Sequence, residues 1–337
     1  MSYTEIVKKY ENISKSTSYS IDILGKLEDD LQKIFSEKNL EFTIVTTGSF
    51  GRLEASEESD IDLFIFCKKE SEKHYILYKK EEIETCIKKY IHKKAGDTGT
   101  FGVDAVDVFD NILKNIGGGD DTNKSLTRRM LFLLEGKAIY NKNIFNSYKK
   151  TLITKYLNSS SEGKLDKYLL NDVIRYYRTI TTDFQHKVDA GGKSWGIRNI
   201  KLRYSRKLLY FAGVMAIAHA SETQQDITKR TQEISNSLDI PPLERIYNIS
   251  HGKAKPELIE DIFCQYEFFL SCISDPEKRA SLNDIKDKSD RLNSPLYNQL
   301  SEKSTEFTDN LYKLLNNVFE KNNQIPVSYT HLTLPTI

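Results

Sequence analysis

Two aspartates separated by one residue, Asp60 and Asp62, carry the clearest chemical signal in the chain. In an extended segment residues i and i+2 project side by side while the residue between them turns away. Ile61 is therefore expected in a core, with the two carboxylates standing together. Adjacent carboxylates repel unless a cation lies between them. An all-oxygen pair suits Mg²⁺ or Mn²⁺, which keeps waters and takes substrate phosphates as further ligands. Two such ions clamp the attacking and leaving oxygens of an in-line phosphoryl displacement. Upstream lies Gly48-Ser49-Phe50-Gly51-Arg52-Leu53-Glu54, a Gly-Ser turn at the end of an apolar run. Backbone N–H groups and a hydroxyl in such a turn can hold a nucleotide's terminal phosphates.

The flanking pattern supplies elements that could position these groups. Residues 41–47 (EFTIVTT) and 61–67 (IDLFIFC) have the length and β-rich composition of strands. Ile21, Leu24, Leu27, Leu31, Ile34 and Phe35 recur at helical spacing, which predicts a helix over 18–38. A charged helix is expected over 71–94. Gly96, Gly99 and Gly102 then bracket a turn before a third strand around 101–106, and Gly117-Gly118-Gly119 closes the region. Beyond residue 122 strand signals fade. Helices are expected over 124–135, 144–156, 164–188, 198–220, 226–237, 256–273 and 297–321, broken by Asn158–Ser161 and by Pro241-Pro242. The expected fold class is α+β: a small mixed sheet with flanking helices over 1–120, then an all-helical domain over 121–326.

Composition narrows the function classes. Across 337 residues, 49 Lys and Arg face 48 Asp and Glu, a net charge of +1 that excludes a globally basic nucleic-acid binder. No apolar run approaches the roughly 18 residues of a membrane span, and the start MSYTEIVKKY has no signal-like apolar core. A cytoplasmic location is expected. The 4 cysteines and 6 histidines are scattered without zinc-site spacing, so hard-cation chemistry is favoured over zinc. Residues 327–336 (VSYTHLTLPT) can be encoded by GTC TCT TAT ACA CAT CTG ACG CTG CCG ACG, which resembles the end sequence and adapter of transposase-based sequencing libraries. The tail 327–337 is read as sequencing read-through, with the natural chain departing near Pro326.

The pattern G-S-x-G-R-x-E-x(4)-S-D-I-D over Gly48–Asp62 resembles the signature of the DNA-polymerase-β nucleotidyltransferase superfamily. The G-R-x-E insertion before S-D-I-D is most similar to the bacterial branch of PII-protein uridylyltransferases and their relatives. The resemblance covers about residues 40–110. It implies Gly48 and Ser49 as the phosphate-binding turn and Asp60 and Asp62 as metal carboxylates. It also implies a third carboxylate from a neighbouring strand, which activates the attacking hydroxyl. Asp104 and Asp107 both qualify and differ by three positions, so one strand would turn them to opposite faces; Asp104 is preferred, and is assigned to the metal as well. Asp107 has an alternative as a helix N-cap.

Arg52 and Glu54 read either as an ion pair that stiffens the turn or as Arg52 reaching a phosphate. The basic segment Trp195–Tyr210 places Arg198, Lys201, Arg203 and Arg206 where they could hold a triphosphate or a polyanionic acceptor, with Lys201 and Arg206 as the nucleotide-binding candidates; a solvated face is the plainer alternative. Arg175 and Arg178 could join that stripe, and Arg128 and Arg129 are weaker candidates.

The implied activity is transfer of NMP from an NTP such as ATP to a hydroxyl of a protein, RNA end, small molecule or nucleotide, with release of pyrophosphate, in a bacterial enzyme. No membrane partner is expected and a long nucleic acid is not favoured. No HD-type metal motif or ligand-sensing domain follows, unlike the full-length PII-modifying enzymes. The competing reading is an inactive regulatory or antitoxin-like module that binds nucleotide without chemistry.

Overall fold

A computed structural model describes residues 2–36, 40–93, 101–158, 165–189 and 194–319. Gly96, Gly99 and the tail 327–337 lie outside the described residues. The chain divides into two compact units: residues 14–159 with 231–241, and residues 1–13 with 160–230 and 242–337. The sheet-bearing unit runs past the boundary expected at 120, because a fourth strand beyond residue 136 completes its sheet.

In chain order, α1 (Tyr3–Val7) and α2 (Glu11–Ile34) precede β1 (Phe42–Thr47), the single helical turn α3 (Gly48–Gly51) and β2 (Asp62–Cys67). Then come α4 (Glu70–Tyr78), α5 (Lys80–Lys88), β3 (Val106–Val108), α6 (Phe109–Lys114), α7 (Asn123–Leu134), β4 (Lys137–Tyr140) and α8 (Lys142–Leu157). The charged stretch expected as one helix is two, parted at Lys79, whose ψ of 6° leaves the helical range.

The sheet order is β3-β2-β1-β4. β1 runs antiparallel to both β2 and β4, and β2 runs parallel to β3. Phe42, Ile44, Leu63, Ile65 and Cys67 share one face and pack with Leu27 and Leu31 of α2, with Phe35 just beyond it, and with Ile76, Ile83 and Ile87 of α4 and α5. On the other face Phe66 meets Phe109 of α6 and Phe132 of α7. Every residue of β1 is buried, as a strand covered on both faces requires. At the end of β1, Thr47 pairs with Asp62. That register sets the two loop-bearing strand ends side by side.

The second unit contains α9 (Lys167–Asp189), α10 (Trp195–Lys201), a π-helical turn (Leu202–Arg206), α11 (Lys207–Thr223), the first residues of α12 (Ile227–Asp239, which from Thr231 on belongs to the sheet unit), α13 (Pro242–Ser250), α14 (Pro256–Ser274), α15 (Pro276–Asp284) and α16 (Pro295–Val318). α11 is buried along Leu208–Ala218, the pattern of a helix surrounded by others. Prolines 256, 276 and 295 open helices at the position where a missing N–H costs nothing. Among the described residues no helix is long and apolar enough to cross a membrane.

Candidate nucleotidyl-transfer site

The site grows from one strand-to-turn junction. β1 ends at Thr47, and Gly48 adopts φ +67°, a left-handed conformation that a side chain disfavours. A Cβ there would lie 2.9 Å from Asp62 Oδ2. Gly48 is thus required twice, for its backbone and for the close approach of the carboxylate. Ile61 is 2% exposed within the core, whereas Asp60 and Asp62 are half-buried, as alternation about Ile61 demands. Gly48, Ser49, Asp60 and Asp62 are therefore gathered at one end of the β1–β2 pair.

Thr47 adds a group that sequence reasoning missed. It stands directly across from Asp62, is 1% exposed, and its Oγ1 makes no hydrogen bond. A buried hydroxyl without a partner costs free energy that a bound ligand can recover. This orphan hydroxyl and the neighbouring Asp62 carboxylate are oxygen groups of the kind a divalent ion carrying phosphate oxygens could engage.

Beneath the turn lies a second missed residue, Glu135. Its side chain is fully buried, accepts the Gly48 N–H at 3.0 Å and pairs with Arg52 Nη1 at 2.5 Å. Arg52 Nε also donates to Glu54 at 2.8 Å. Of the two readings of Arg52, the ion pair with Glu54 is present, and the guanidinium is only 6% exposed. The Gly48 N–H is consumed by Glu135. Gly51 completes the seating: a Cβ there would fall 2.2 Å from the Glu135 carbonyl. Further on, Leu53 holds φ +58°, and Ser20 Oγ accepts the Ala55 N–H at 3.0 Å. No local signal marks Glu135; it lies 87 residues from Gly48, and only the fold joins them.

The candidate third carboxylates are placed differently. Asp104 is 67% exposed and pairs with Lys80 Nζ at 2.6 Å, at the start of α5. Asp107 pairs in register with Phe66, on the face of Asp62 but four positions along β2, about 13 Å away at the usual strand rise. It also bonds Arg128 at 3.0 Å and Asn111 at 3.0 Å. Burial lowers the pKa of Arg128, and the Asp107 charge opposes that shift. Among the described residues no group of three or more His, Cys, Asp or Glu is placed to hold a metal ion.

The remaining basic candidates resolve individually. Arg129 forms a buried bidentate pair with Asp121, at 3.0 and 2.9 Å, and bonds Tyr156 OH at 2.6 Å. Arg175 lies 3.7 Å from Asp172. Lys201 closes α10 and Arg206 closes the π turn, both partly exposed in the helical unit.

Residues 28–96 match the family model of the nucleotidyltransferase domain. The match spans the end of α2, both paired strands, the Gly-Ser turn and α4–α5. This match supports a nucleotidyltransferase domain of the DNA-polymerase-β type over these residues, and with it NMP transfer as the general class of chemistry. No curated protein matches the chain.

Proposed function

We propose that the protein is an active nucleotidyltransferase that moves NMP from an NTP to an acceptor hydroxyl and releases pyrophosphate. The observation that carries this reading is the apposition of Gly48 and Asp62 across the Thr47–Asp62 pair. It sets the Gly-Ser turn against the Asp62 carboxylate. Asp60 and Asp62 would hold Mg²⁺ or Mn²⁺, which, when bound, neutralises phosphate charge and polarises the phosphoryl oxygens. Ser49 and the orphan Thr47 hydroxyl would bind phosphate oxygens, while Glu135 and Arg52 fix the turn. Most of the acceleration would come from positioning and charge neutralisation.

Asp104 is proposed as the third acid, orienting the acceptor hydroxyl and taking its proton. The Gly102 N–H donates to Leu63 O at 2.8 Å, so the chain entering Asp104 runs beside the start of β2. Its tie to Lys80 is an exposed ion pair of the kind worth little. Asp107 would have to leave Arg128, which is 4% exposed. Lys201 and Arg206 are proposed to bind the triphosphate or an anionic acceptor. The G-R-x-E insertion favours the PII-uridylyltransferase-like branch for residues 48–62, in a cytoplasmic bacterial protein.

The placements of Asp104 and Asp107, each held by a cation, favour a second reading, an inactive nucleotide-binding module. The decisive experiment incubates the protein with each α-labelled NTP, Mg²⁺ or Mn²⁺ and a bacterial lysate, beside an Asp60→Ala/Asp62→Ala variant. Label entering a protein, RNA or small-molecule fraction, and absent with the variant, supports transfer and names the acceptor class. Metal-dependent NTP binding without variant-sensitive transfer establishes the binding module instead.

A further inference from the structure

Within the sheet-bearing unit the buried side of α2 runs Ser16, Ser20, Ile23, Leu27 and Leu31, at helical three- and four-residue steps. The last three are core aliphatics, but the first two are serines, and Ser20 is 0% exposed. A buried hydroxyl costs free energy unless it is hydrogen-bonded. Ser20 Oγ donates to Ser16 O at 2.7 Å, one turn back in its own helix, and accepts the Ala55 N–H at 3.0 Å, from 35 residues along the chain. The helix itself has no need of that hydroxyl, and an apolar residue would simply extend the stripe. The group that the serine serves is the Ala55 N–H.

Ala55 is where the chain leaves the Gly-Ser turn on its way to Asp60. Up to that point the backbone folds back on itself. The Leu53 N–H bonds Phe50 O at 3.1 Å and the Glu54 N–H bonds Ser49 O at 2.8 Å. That closure holds Leu53 at φ +58°, a conformation that is costly for a non-glycine residue and persists only where its surroundings enforce it. α2 supplies contacts on both sides of the strained residue: Thr17 Oγ1 reaches Leu53 O at 3.4 Å, and Ser20 holds the Ala55 N–H. Beyond Ala55 a second tight turn leads directly into Asp60, with the Ser59 N–H on Ser56 O at 2.9 Å and the Ser56 N–H on Ser59 Oγ at 3.1 Å. Ser20 thus pegs the backbone at the point between the two turns.

We propose that Ser20 is a positioning residue of the nucleotidyl-transfer site: its hydroxyl holds the Leu53–Ala55 backbone and so sets Ser49 on one side and Asp60 on the other for the nucleotide's phosphates and their metal. The inference rests on the transfer reading above and adds to it a residue of α2 that lies before the stretch matching the nucleotidyltransferase domain. Being buried, Ser20 acts through the Ala55 N–H rather than on the substrate.

The test compares wild type, Ser20→Ala, Ser20→Thr and Gly117→Ala, each as the full chain, by label transfer from the productive α-labelled NTP and by thermal melts. Ser20→Ala favours the helix but leaves the buried Ala55 N–H without its acceptor. It should raise KM for the nucleotide and lower kcat together, each by about threefold or more, so that kcat/KM falls about tenfold. Ser20→Thr keeps a hydroxyl that can bond the carbonyl one turn back, and should restore both constants to within about twofold. Gly117→Ala, strained in its backbone with open space for its Cβ, should lower Tm and leave both constants per folded molecule unchanged. A merely structural role for Ser20 would reproduce the Gly117→Ala pattern; that result, or Ser20→Thr as impaired as Ser20→Ala, overturns the proposal. Wild type alone judges the transfer reading. If it binds ATP with Mn²⁺ but transfers nothing, the variants are compared by calorimetry instead: Ser20→Ala should bind about threefold or more weakly, and equal affinity overturns the positioning role. A wild type that neither transfers nor binds nucleotide removes the transfer reading and this role with it. Where Ser20→Ala does not fold, Ser20→Cys, similar in size but a weak acceptor, takes its place.

Discussion

Gly48→Ala separates backbone strain from displacement of the carboxylate, because the structure contains its own control. Gly48 and Gly117 have nearly the same conformation, φ +67° and +71°. A Cβ at Gly117 meets nothing within 4 Å, whereas at Gly48 it would sit 2.9 Å from Asp62 Oδ2. Both alanines carry the left-handed cost of roughly 1–2 kcal/mol. Gly117→Ala should therefore lower Tm by several degrees, at about 2–4 °C per kcal/mol for a domain of this size. Its transfer activity per folded molecule should not change.

Gly48→Ala carries the same strain and must also push the Asp62 carboxylate aside. A misplacement of about 1 Å at a reacting centre can remove about 100-fold in rate. The expected outcome is a Tm within a few degrees of Gly117→Ala but transfer at least about 100-fold lower. The measurements are label transfer from the productive α-labelled NTP and thermal melts of both variants. Gly48→Ala that melts like Gly117→Ala and retains transfer within about threefold would refute the steric link between the turn and Asp62.

Four further outcomes follow from the same contacts. Asp104→Asn should reduce transfer about 10²–10⁴-fold if it takes the acceptor's proton, whereas Asp107→Asn should lower Tm by weakening its ion pair with Arg128 and leave transfer per folded molecule intact; the reverse pattern, read from label transfer and melts, would reassign the third acid. Glu135→Ala should destabilise by roughly 3–5 kcal/mol, the range for a broken buried pair, while Glu135→Gln keeps an acceptor for the Gly48 N–H and should lose less; equal losses in denaturant titrations would deny that hydrogen bond a role. Asp239→Ala removes a carboxylate 2.5 Å from Lys149, whose side chain is 0% exposed, and should lower Tm more than Asp22→Ala, whose partner Lys26 is half-exposed. Finally, burial lowers the Lys207 pKa to about 8 from the ordinary lysine value of 10.5, so between these values the unfolded chain binds more protons and stability rises with pH; melts from pH 7 to 9.5 should show wild-type gaining on Lys207→Met, and a constant difference would contradict the depressed pKa.

The legible parts of this molecule were those written locally. Asp60, Ile61 and Asp62 announce their facing by alternation, and the Gly-Ser turn precedes them by a short interval, so one continuous stretch encoded most of the candidate site. The amphipathic helices were legible because burial at three- and four-residue steps leaves a periodic trace, as at Leu27 and Leu31. β4 was not: Lys137–Tyr140 is four residues long, too short to show alternation, and is a strand because β1 offers it an edge. β3 likewise occupies Val106–Val108, later than the expected 101–106, its position set by pairing with Ile65–Cys67. Glu135 left no trace, since a buried acid reads like any charged helix end until its partners are known.

That hidden acid changes how the Gly-Ser turn must work. In a simple anion cradle each backbone N–H of the turn faces the ligand. Here the first, on Gly48, is already committed to Glu135, and the same carboxylate holds Arg52. A negative charge directly beneath a phosphate site would oppose phosphate binding unless it were offset, and Arg52 offsets it while buried out of reach of solvent. The turn is therefore braced from below by an acid-base-acid chain, Glu135–Arg52–Glu54, and under the proposed function Ser49 and the orphan hydroxyl of Thr47 would be the groups left to meet a phosphate. Arg52→Lys tests this division of labour, because a lysine keeps the charge but cannot bond both carboxylates with a planar fork. If Arg52 braces the turn, Arg52→Lys should lower Tm and raise KM and lower kcat together as the turn loosens. If it instead binds phosphate, KM for the nucleotide should rise with Tm unchanged, and the brace would have to be abandoned.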